Sequence, residues 1–382
     1  MWYLQIDTLG IMAGITLLYA LAGHVLRRFR PQWRLTPFLL VLDLGLLAYV
    51  SEKLALFYLV YTAGSYLLIR LLRRAERRRK LLFVLFCLLD VAPFFFFRLV
   101  SIPTDSLFYI TLIGFSYNML KAVDGLFFVY YTRQEIRPVP YANFLLFFPV
   151  LTAGPIFRYR DFIKAYEKPQ AVTAEVTVNS VKRVILGMFK KMVLVAWLQL
   201  GLNRVLRMSP HFYVSAALAV LSYALIYCDL SGYSDIAIAF GNMVGFPVPE
   251  NFKNPLSAAS FTQFWRRWHV TLSDWIREHI FVVVNGKRLN KYLSALIGLC
   301  TMMVMSLWHS FSLLAVVNGL YMGGLLAFEN VFSLTTADRR RMKPALYIFR
   351  CLLVAGLFAV NAMFFTLNTD QLRQALGGFF RW

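Results

Sequence analysis

RLLRRAERRRKLLFVLFCLLDVAPFFFFRLV, residues 70–100, places a dense cluster of arginines directly before a run of almost only apolar residues. As a helix, a run of this kind is long enough to cross the ~30 Å hydrocarbon core of a bilayer. A basic cluster beside such a run is typical of a loop that faces the cytoplasm. The stretch therefore predicts a transmembrane helix with a cytoplasmic loop before it.

The composition of the whole chain extends this prediction. Of its 382 residues, 59% are hydrophobic and 15% are charged, whereas soluble domains have about 45–50% and about 25%. A soluble globule has too little interior to bury so much apolar surface, and the same proportions exclude a disordered chain. The four cysteines stand singly in apolar runs, so we expect small buried hydrophobes and no disulfide framework. The composition predicts an all-α polytopic membrane protein.

Apolar runs that recur along the chain set the expected membrane spans. They are Thr8–Leu26, Leu35–Val50, Leu54–Leu72, Leu81–Val100, Leu107–Tyr131, Val184–Leu206, Phe212–Cys228, Tyr292–Trp308, Phe311–Phe332 and Pro344–Thr366. The shorter run Tyr141–Ala153 ends at Gly154-Pro155 and predicts a re-entrant or interfacial piece. Some of these runs are only nearly long enough to span, and we expect about eight full spans, with broken pieces between them.

The strong positive charge has two interpretations. Lys and Arg number 40 and Asp and Glu 19, which gives a net charge of +21; in a soluble protein this would suggest a nucleic-acid partner. Here the basic residues cluster between apolar runs, as in cytoplasmic loops that face anionic lipid. We therefore expect membrane lipids and no nucleic acid as partners, with both termini outside. No cleavable signal is apparent, so the first run is expected to stay as an anchor.

Polar residues interrupt the chain after Cys228, where a further span would be expected. Asp229, Ser231, Ser234 and Asp235 lie among apolar residues and glycines, and the proline-rich stretch Pro247–Pro255 breaks any helix. A polar segment at membrane depth must be buried in protein or line a wet cavity. We expect this region to be broken into pieces within the membrane.

An amphipathic helix is predicted over Phe261–Ile276, because Ser260 and Gln263 have the capping-box spacing. Its apolar face has Phe261, Phe264, Trp265, Trp268, Leu272, Trp275 and Ile276. Arg266, Arg267 and Arg277 point away from that face and His269 lies at its edge. The helix is either an interfacial anchor or a site where the arginines bind a phosphate-bearing donor at the cytoplasmic face.

His309 is the histidine whose position in the sequence indicates a functional role. It lies at the junction of two apolar runs, in the sequence Met305-Ser-Leu-Trp-His-Ser-Phe311, with no acid or cation near it in the chain. An ionisable group at membrane depth is costly and is by default a candidate functional residue. A neutral imidazole can accept the proton of a hydroxyl that attacks a carbonyl. No spacing of His, Cys or acidic residues predicts a metal site.

Four segments, taken in their order, resemble the membrane-bound O-acyltransferase family. They are Tyr227–Gly241, Pro249–Pro255, Phe264–His269 and Leu307–His309. The similarity extends from about Phe108 to Asn330, with N-terminal helices in residues 1–107 and a C-terminal helix at residues 344–368. We expect one integral membrane domain over residues 1–382.

Two branches of that family compete. Leu145–Pro149, Gly154–Arg160 and Phe281–Arg288 look most like the branch that transfers D-alanine to teichoic acid. The branch that O-acetylates exported polysaccharides or peptidoglycan shares Tyr233–Asp235, Pro249–Phe252 and Phe264–His269 about as closely in places. The identity of the acyl group and of its acceptor stays open between the two.

The resemblance implies a fold and a reaction. The fold would be a ring of tilted helices, with re-entrant and interfacial helices, around a thin central funnel in the bacterial cytoplasmic membrane. The acyl donor would be a thioester on the phosphopantetheine arm of a carrier protein at the cytoplasmic face, or alternatively acetyl-CoA, with no bound cofactor. A hydroxyl outside the membrane would be acylated, with an external esterase-like transferase or a small accessory membrane peptide as a further partner.

The resemblance also implies site residues. His309 and His269 match the catalytic and second histidines of the family. The expected carrier- or substrate-binding residues are Trp265, Arg266, Arg267, Trp268, Asp229, Asp235 and Asn251. Ser310 stands where the family usually has glycine after the histidine. Two other functions stay open: a proton-coupled transporter or flippase that uses Asp229 and Asp235 as a relay, and a catalytically inactive scaffold.

Overall fold

The structure is a computed structural model that describes residues 6–29, 35–99, 114–281 and 290–381. Within these ranges the chain is helical and has no strand; its one extended pairing is an isolated antiparallel bridge between Phe252 and Trp268. The segments expected to start the fifth span and to mark the D-alanine branch at 282–288 lie outside the described residues. The all-α prediction is confirmed.

The described residues divide into two compact units. The first, here the N-terminal unit, comprises Met1–Ile185 and Ser234–Pro249, and the second, the C-terminal unit, comprises Leu186–Tyr233 and Glu250–Trp382. The expectation of one integral membrane domain stays a prediction.

The helices of the first half of the chain are α1 (Ile6–Phe29), α2 (Phe38–Val50), α3 (Glu52–Arg74), α4 (Arg79–Leu99), α5 (Phe115–Thr132), α6 (Pro138–Leu146) and α7 (Tyr159–Glu167). The helix that follows runs without interruption through α8 (Ala174–Met188), a π-helical turn (Phe189–Leu194) and α9 (Val195–Val205). The second half contains α10 (Phe212–Met243), α11 (Phe261–Trp265), α12 (Val270–Ile276), α13 (Lys291–His309), α14 (Leu313–Val331), α15 (Pro344–Thr366) and α16 (Thr369–Gly378).

Seven helices among the described residues are long and apolar enough to cross a membrane. They are Glu52–Arg74, Arg79–Phe97, Ala174–Val205, Phe212–Met243, Lys291–His309, Leu313–Val331 and Pro344–Thr366. The apolar parts of α1 and α2 are shorter, Leu9–Gly23 and Phe38–Val50. The chain is thus a multi-pass membrane protein.

The short piece predicted at Tyr141–Ala153 consists of α6 and a 3₁₀ turn, Phe148–Val150. Two buried side chains hold the kink between them. Lys121 donates from Nζ to the carbonyls of Phe144 (3.1 Å) and Leu145 (2.6 Å), and Asp43 accepts from the Phe148 N–H (3.1 Å). A cation at a helix C-terminus and an acid at the next N-terminus match the helix dipoles.

The expected break after Cys228 is wrong, because α10 continues without interruption to Met243. Both acids in this stretch are paired within their own unit: Asp229 with Lys191 (2.6 Å) in the C-terminal unit, and Asp235 with Arg183 (2.9 Å) in the N-terminal unit. Partnered carboxylates do not force a helix to unwind, since their charge is compensated. The predicted break over Pro247–Pro255 is confirmed, with a single 3₁₀ turn at Pro255–Ser257.

Candidate active site

The predicted interfacial helix over Phe261–Ile276 is two short helices, α11 and α12, and that prediction is wrong in its continuity. Ser260 accepts from the Gln263 N–H as expected (3.1 Å), but the helix ends at Trp265. His269 takes a left-handed conformation, with φ 47° and ψ 49°, and begins α12. The arginines and aromatic residues therefore do not form one continuous amphipathic surface.

The break arises from pairing with the segment that follows α10. The Lys253 N–H donates to the Arg267 carbonyl (2.8 Å), and the Val270 N–H donates to the Asn251 carbonyl (2.9 Å). These bonds satisfy backbone groups that a continuous helix would have used internally. Asn251 and Lys253 lie far from this segment in sequence, so local helix signals could not reveal the break.

Asn251 supports the segment that carries His269. It is buried, and its side-chain oxygen accepts from the Thr271 hydroxyl (2.9 Å) and from the Thr271 N–H (3.3 Å). Thr271 lies in the first turn of α12, so Asn251 caps that helix from outside it. The residue expected to bind substrate thus fixes the position of His269 through the backbone.

Trp268 lies at the centre of an aromatic cluster in the C-terminal unit, and not at an exposed edge. Its ring stacks on Phe264 (centroids 5.5 Å apart, 18° between planes) and contacts Phe358 (4.8 Å) and Phe252 (5.1 Å). Trp265 also contacts Phe358 (6.0 Å). These contacts bury Trp268, so it packs the interior that surrounds His269 and does not anchor at lipid headgroups.

His269 is buried next to this cluster, and its environment favours the neutral imidazole. Burial, with a smaller electrostatic effect of His309, lowers the pKa of His269 to about 4. Desolvation disfavours the charged form of a histidine, and a second imidazole nearby acts in the same direction. The structure therefore brings the two histidines within electrostatic range and keeps His269 neutral near pH 7.

His309 is the last residue of α13 and its side chain is exposed. Its ring lies edge-on to Phe365 (5.4 Å, 78°) and beside Trp308 (5.3 Å, 41°). The aromatic surroundings agree with the apolar position expected from the sequence, while the exposure leaves the ring reachable. Ser310 has an extended backbone (φ −156°, ψ 131°), a conformation open to any residue, so serine in place of glycine causes no strain.

The predicted arginines divide into two groups. Arg267 donates to the carbonyl of Ser257 (3.3 Å) and to its hydroxyl, and Arg277 pairs with Asp274 (2.7 Å). The side chains of both arginines therefore bind other groups of the protein. Arg266, by contrast, is exposed at the end of α11.

The two predicted acids lie in the ion pairs that stabilise α10. The side chain of Lys191 is 2% exposed where it meets Asp229, and that of Asp235 is 12% exposed where it meets Arg183. The Asp229–Lys191 pair belongs to the C-terminal unit, and the Asp235–Arg183 pair belongs to the N-terminal unit.

Glu329 is a residue that the sequence reasoning missed. From α14 it accepts from the N–H of Phe261 (2.5 Å) and of Thr262 (2.9 Å), the first residues of α11. Arg350 holds the same turn through the Ala259 carbonyl (2.9 Å). The sequence did contain a signal for this residue, because Glu329 is a lone acid in an apolar run, and acids in such runs usually have a structural or functional role.

Two glycines on α14 were also missed. A Cβ on Gly319 would lie 2.8 Å from the Cα of Met303, and one on Gly323 would lie 2.9 Å from the Cα of Leu299. α13 and α14 therefore approach closely along a G-x-x-x-G pattern, which is a known signal for helix contacts in membranes. This contact fixes the helix that ends at His309.

Comparison with known proteins gives a family and several relatives. A profile of MBOAT, the membrane-bound O-acyltransferase family, matches residues 32–366. A probable alginate O-acetylase of Pseudomonas fluorescens is 32% identical over 245 residues, 63% of this chain and 49% of that protein. A teichoic acid D-alanyltransferase of Bacillus subtilis is 27% identical over 241 residues, 58% of this chain and 60% of that protein.

A peptidoglycan O-acetyltransferase of Helicobacter pylori is 28% identical over 203 residues, 51% of this chain and 38% of that protein. The chain spans about half the length of the alginate O-acetylases that it matches.

Proposed function

The chain belongs to the membrane-bound O-acyltransferase family, and from this premise we propose that it transfers an acyl group from a thioester at the cytoplasmic face to a hydroxyl of a polymer outside the cytoplasmic membrane. The observation that carries the proposal is the pair of histidines in the C-terminal unit, within electrostatic range of each other. One is exposed at a helix end and the other is buried and neutral.

His309 acts as the general base in this proposal. Its imidazole takes the proton of the acceptor hydroxyl as the hydroxyl oxygen attacks the acyl carbon. The new C–O bond forms, the C–S bond of the thioester breaks, and the thiol leaves with the proton that His309 accepted. General-base catalysis of this kind contributes about 10²–10⁴-fold to a rate. The exposure of His309 at the end of α13 supports this role.

His269 assists as a neutral group. When His309 holds the proton, a second imidazolium next to it would raise the energy of the transfer state. Burial keeps His269 neutral, with its pKa lowered to about 4, so this repulsion is avoided. Asn251 and Thr271 hold the backbone that presents the ring.

The donor is a thioester on the phosphopantetheine arm of a carrier protein, or acetyl-CoA. Both carry phosphate, and Arg266 is the exposed arginine at the break between α11 and α12 that can bind it. An external esterase-like transferase or a small membrane peptide completes the assembly.

The acyl group is proposed to be acetyl. The alginate O-acetylase of Pseudomonas fluorescens shares 32% identity with the chain and the D-alanyltransferase of Bacillus subtilis 27%. D-Alanine is the second candidate, because the chain covers 60% of the D-alanyltransferase and 49% of the acetylase. The same reaction chemistry serves both.

A transporter with Asp229 and Asp235 as a proton relay is less favoured. Each acid is paired with a basic side chain at 2.6 Å or 2.9 Å. Both acids therefore already serve as ion-pair partners that hold α10 to the helix before it.

The experiment that tests the proposal compares cells with the gene, without it, and with it restored. Mass spectrometry of the exported polymers is expected to show esters that disappear with the gene and return with it. Loss of acetyl esters supports acetylation, and loss of alanyl esters supports the second candidate. Unchanged ester content in the deletion, with ion-coupled uptake in vesicles that contain no donor, would support the transporter instead.

A further inference from the structure

The loop between α14 and α15, residues 332–343, lies against the start of α11. The Ser260 hydroxyl donates to the Thr335 carbonyl (2.8 Å), and the Gln263 carboxamide donates to the Ala337 carbonyl (2.8 Å). Both donors belong to the N-terminal end of α11 and its cap. The loop is therefore held to that helix at two points.

The segment before α11, residues 253–260, reaches the same region. Its Lys253 N–H donates to the Arg267 carbonyl (2.8 Å), just after α11, and its Ser257 carbonyl accepts from the Tyr347 hydroxyl (2.8 Å), near the start of α15. Three parts of the C-terminal unit thus meet here: this segment, the end of α11 and the loop that leads to α15.

Cations dominate these three parts of the chain. Residues 253–267 contain no acid, and residues 332–343 contain only Asp338, which pairs with Arg341 (3.5 Å). Five other cations are exposed and form what is here called the basic surface: Lys253, Arg266, Arg339, Arg340 and Lys343. Among the residues that the structure places, none forms a hydrogen bond or an ion pair with these five side chains.

The hydrogen bonds between the segments bring the five cations near one another. Arg266 follows Gln263 by three residues, and Arg339 follows Ala337 by two. Like charges held close together repel, and a bound anion relieves that repulsion. An arginine binds phosphate through two parallel hydrogen bonds, so cations from separate segments can bind several phosphates of one ligand.

We propose that the basic surface binds the phosphate groups of the acyl donor, and that this donor is an acyl-coenzyme A. This inference rests on the proposed acyl transfer. Coenzyme A carries a diphosphate and a separate phosphate on its ribose, whereas the phosphopantetheine arm of a carrier protein carries a single phosphate. Five cations on three segments match the ligand with more phosphates. Arg266 precedes His269 by three residues and so joins the basic surface to the transfer site.

A contact to a remote phosphate has a kinetic signature. The phosphates do not react, so their contacts to the protein are the same before and during the transfer of the acyl group. Loss of such a contact raises the KM for the donor and leaves the maximal rate unchanged. Salt screens exposed charges, so the KM of the wild type should also rise with ionic strength.

The test uses inside-out membrane vesicles that hold the full chain and its native partners, supplied with labelled acetyl-CoA or labelled D-alanyl carrier. Labelled ester in the polymer is measured against donor concentration. Arg339→Gln combined with Arg340→Gln is expected to raise the KM for acetyl-CoA about tenfold, with the maximal rate within about threefold of wild type. Arg339→Lys combined with Arg340→Lys keeps both charges and should keep the KM within about threefold.

Arg74→Gln combined with Arg77→Gln is the matched control. Both arginines are exposed at the basic loop between α3 and α4 in the N-terminal unit, and this variant loses the same charge. Its KM for acetyl-CoA is expected to equal that of the wild type. The control separates a phosphate site from a general attraction of the donor to a basic protein.

A KM within about threefold of wild type in the Arg339 and Arg340 glutamine variant would overturn the inference and leave the basic surface a site for anionic lipid headgroups. An equal rise of the KM in the control, or transfer from the D-alanyl carrier with none from acetyl-CoA, would overturn it as well. In these outcomes the wild type still forms esters, so the proposed function stands. If the wild type forms no ester with either donor, the proposed function fails and this inference fails with it.

Discussion

At the scale of single residues, His309 and His269 differ in how much of their structural setting could be predicted from the sequence. His309 could be predicted because an ionisable side chain between two apolar runs is rare, and the structure places it at the exposed end of α13. The left-handed backbone of His269 could not be predicted, because it depends on the pairing of this segment with Asn251 and Lys253, which are distant in sequence. Local periodicity predicted a continuous helix there.

The lowered pKa of His269 predicts a pH-dependent stability. An unfolded histidine has a pKa of about 6.5, and the folded one about 4. As pH falls below 6.5 the unfolded state takes up the proton first, so stability that is present at pH 7 is lost on the way to pH 4. Between pH 7 and pH 5 this loss is about 2 kcal/mol.

Denaturation in detergent at pH 7 and pH 5 measures this loss. The variant His269→Asn lacks the imidazole and tolerates the left-handed backbone, so its stability should fall less over the same range. Equal losses of unfolding free energy in the wild type and in His269→Asn would contradict the prediction.

At the scale of elements, the hydrogen bonds of Glu329 predict how much unfolding free energy is lost when the start of α11 is no longer held. Its carboxylate accepts from two backbone N–H groups, and hydrogen bonds to a charged group contribute about 1.5–3 kcal/mol each. Glu329→Gln keeps one acceptor, loses the charge and turns an amide N–H toward these donors. We expect a loss of about 2 kcal/mol in unfolding free energy.

Glu135→Gln serves as the control for this change. Glu135 pairs with Arg73 at 3.2 Å on the surface, and its side chain is 63% exposed. Exposed pairs contribute little, so its variant should unfold like the wild type. If both glutamine variants lose the same stability, Glu329 does not hold α11.

The close contact of α13 and α14 predicts opposite effects for two adjacent glycines. A Cβ on Gly323 would meet Leu299 at 2.7–3.0 Å, whereas one on Gly324 has nothing within 4 Å. Gly323→Ala should therefore destabilise the protein by about 1–3 kcal/mol and lower transfer, because α13 carries His309. Gly324→Ala should be neutral or slightly stabilising. The thermal midpoints of the two variants in detergent test this prediction, and equal midpoints would contradict it.

The helices also differ in how well the sequence predicted their bounds. Apolar length located the long helices well, and Pro247–Pro255 correctly ended α10. The continuity of α10 past Cys228 was missed, because Asp229 and Asp235 find their partners in Lys191 and Arg183, many residues away. Composition alone cannot show that a charge is compensated.

At the scale of the whole molecule, the basic loop between α3 and α4 predicts an orientation. Positive loops are retained in the cytoplasm, so the residues around Ala75 should face inward. We expect Ala75→Cys, on a background without the four native cysteines, to react with a membrane-impermeant maleimide only after the cells are opened. Labelling of intact cells would reverse the proposed topology and place the donor on the wrong side.

The role of His309 is tested by the ester content of the exported polymer in cells that carry His309→Ala in place of the wild type, at equal amounts of protein in the membrane. We predict that the ester falls to the level of the gene deletion, because the proposed mechanism assigns the uptake of the hydroxyl proton to His309. Normal ester content in His309→Ala, together with loss in the deletion, would contradict it and would leave the chain a scaffold.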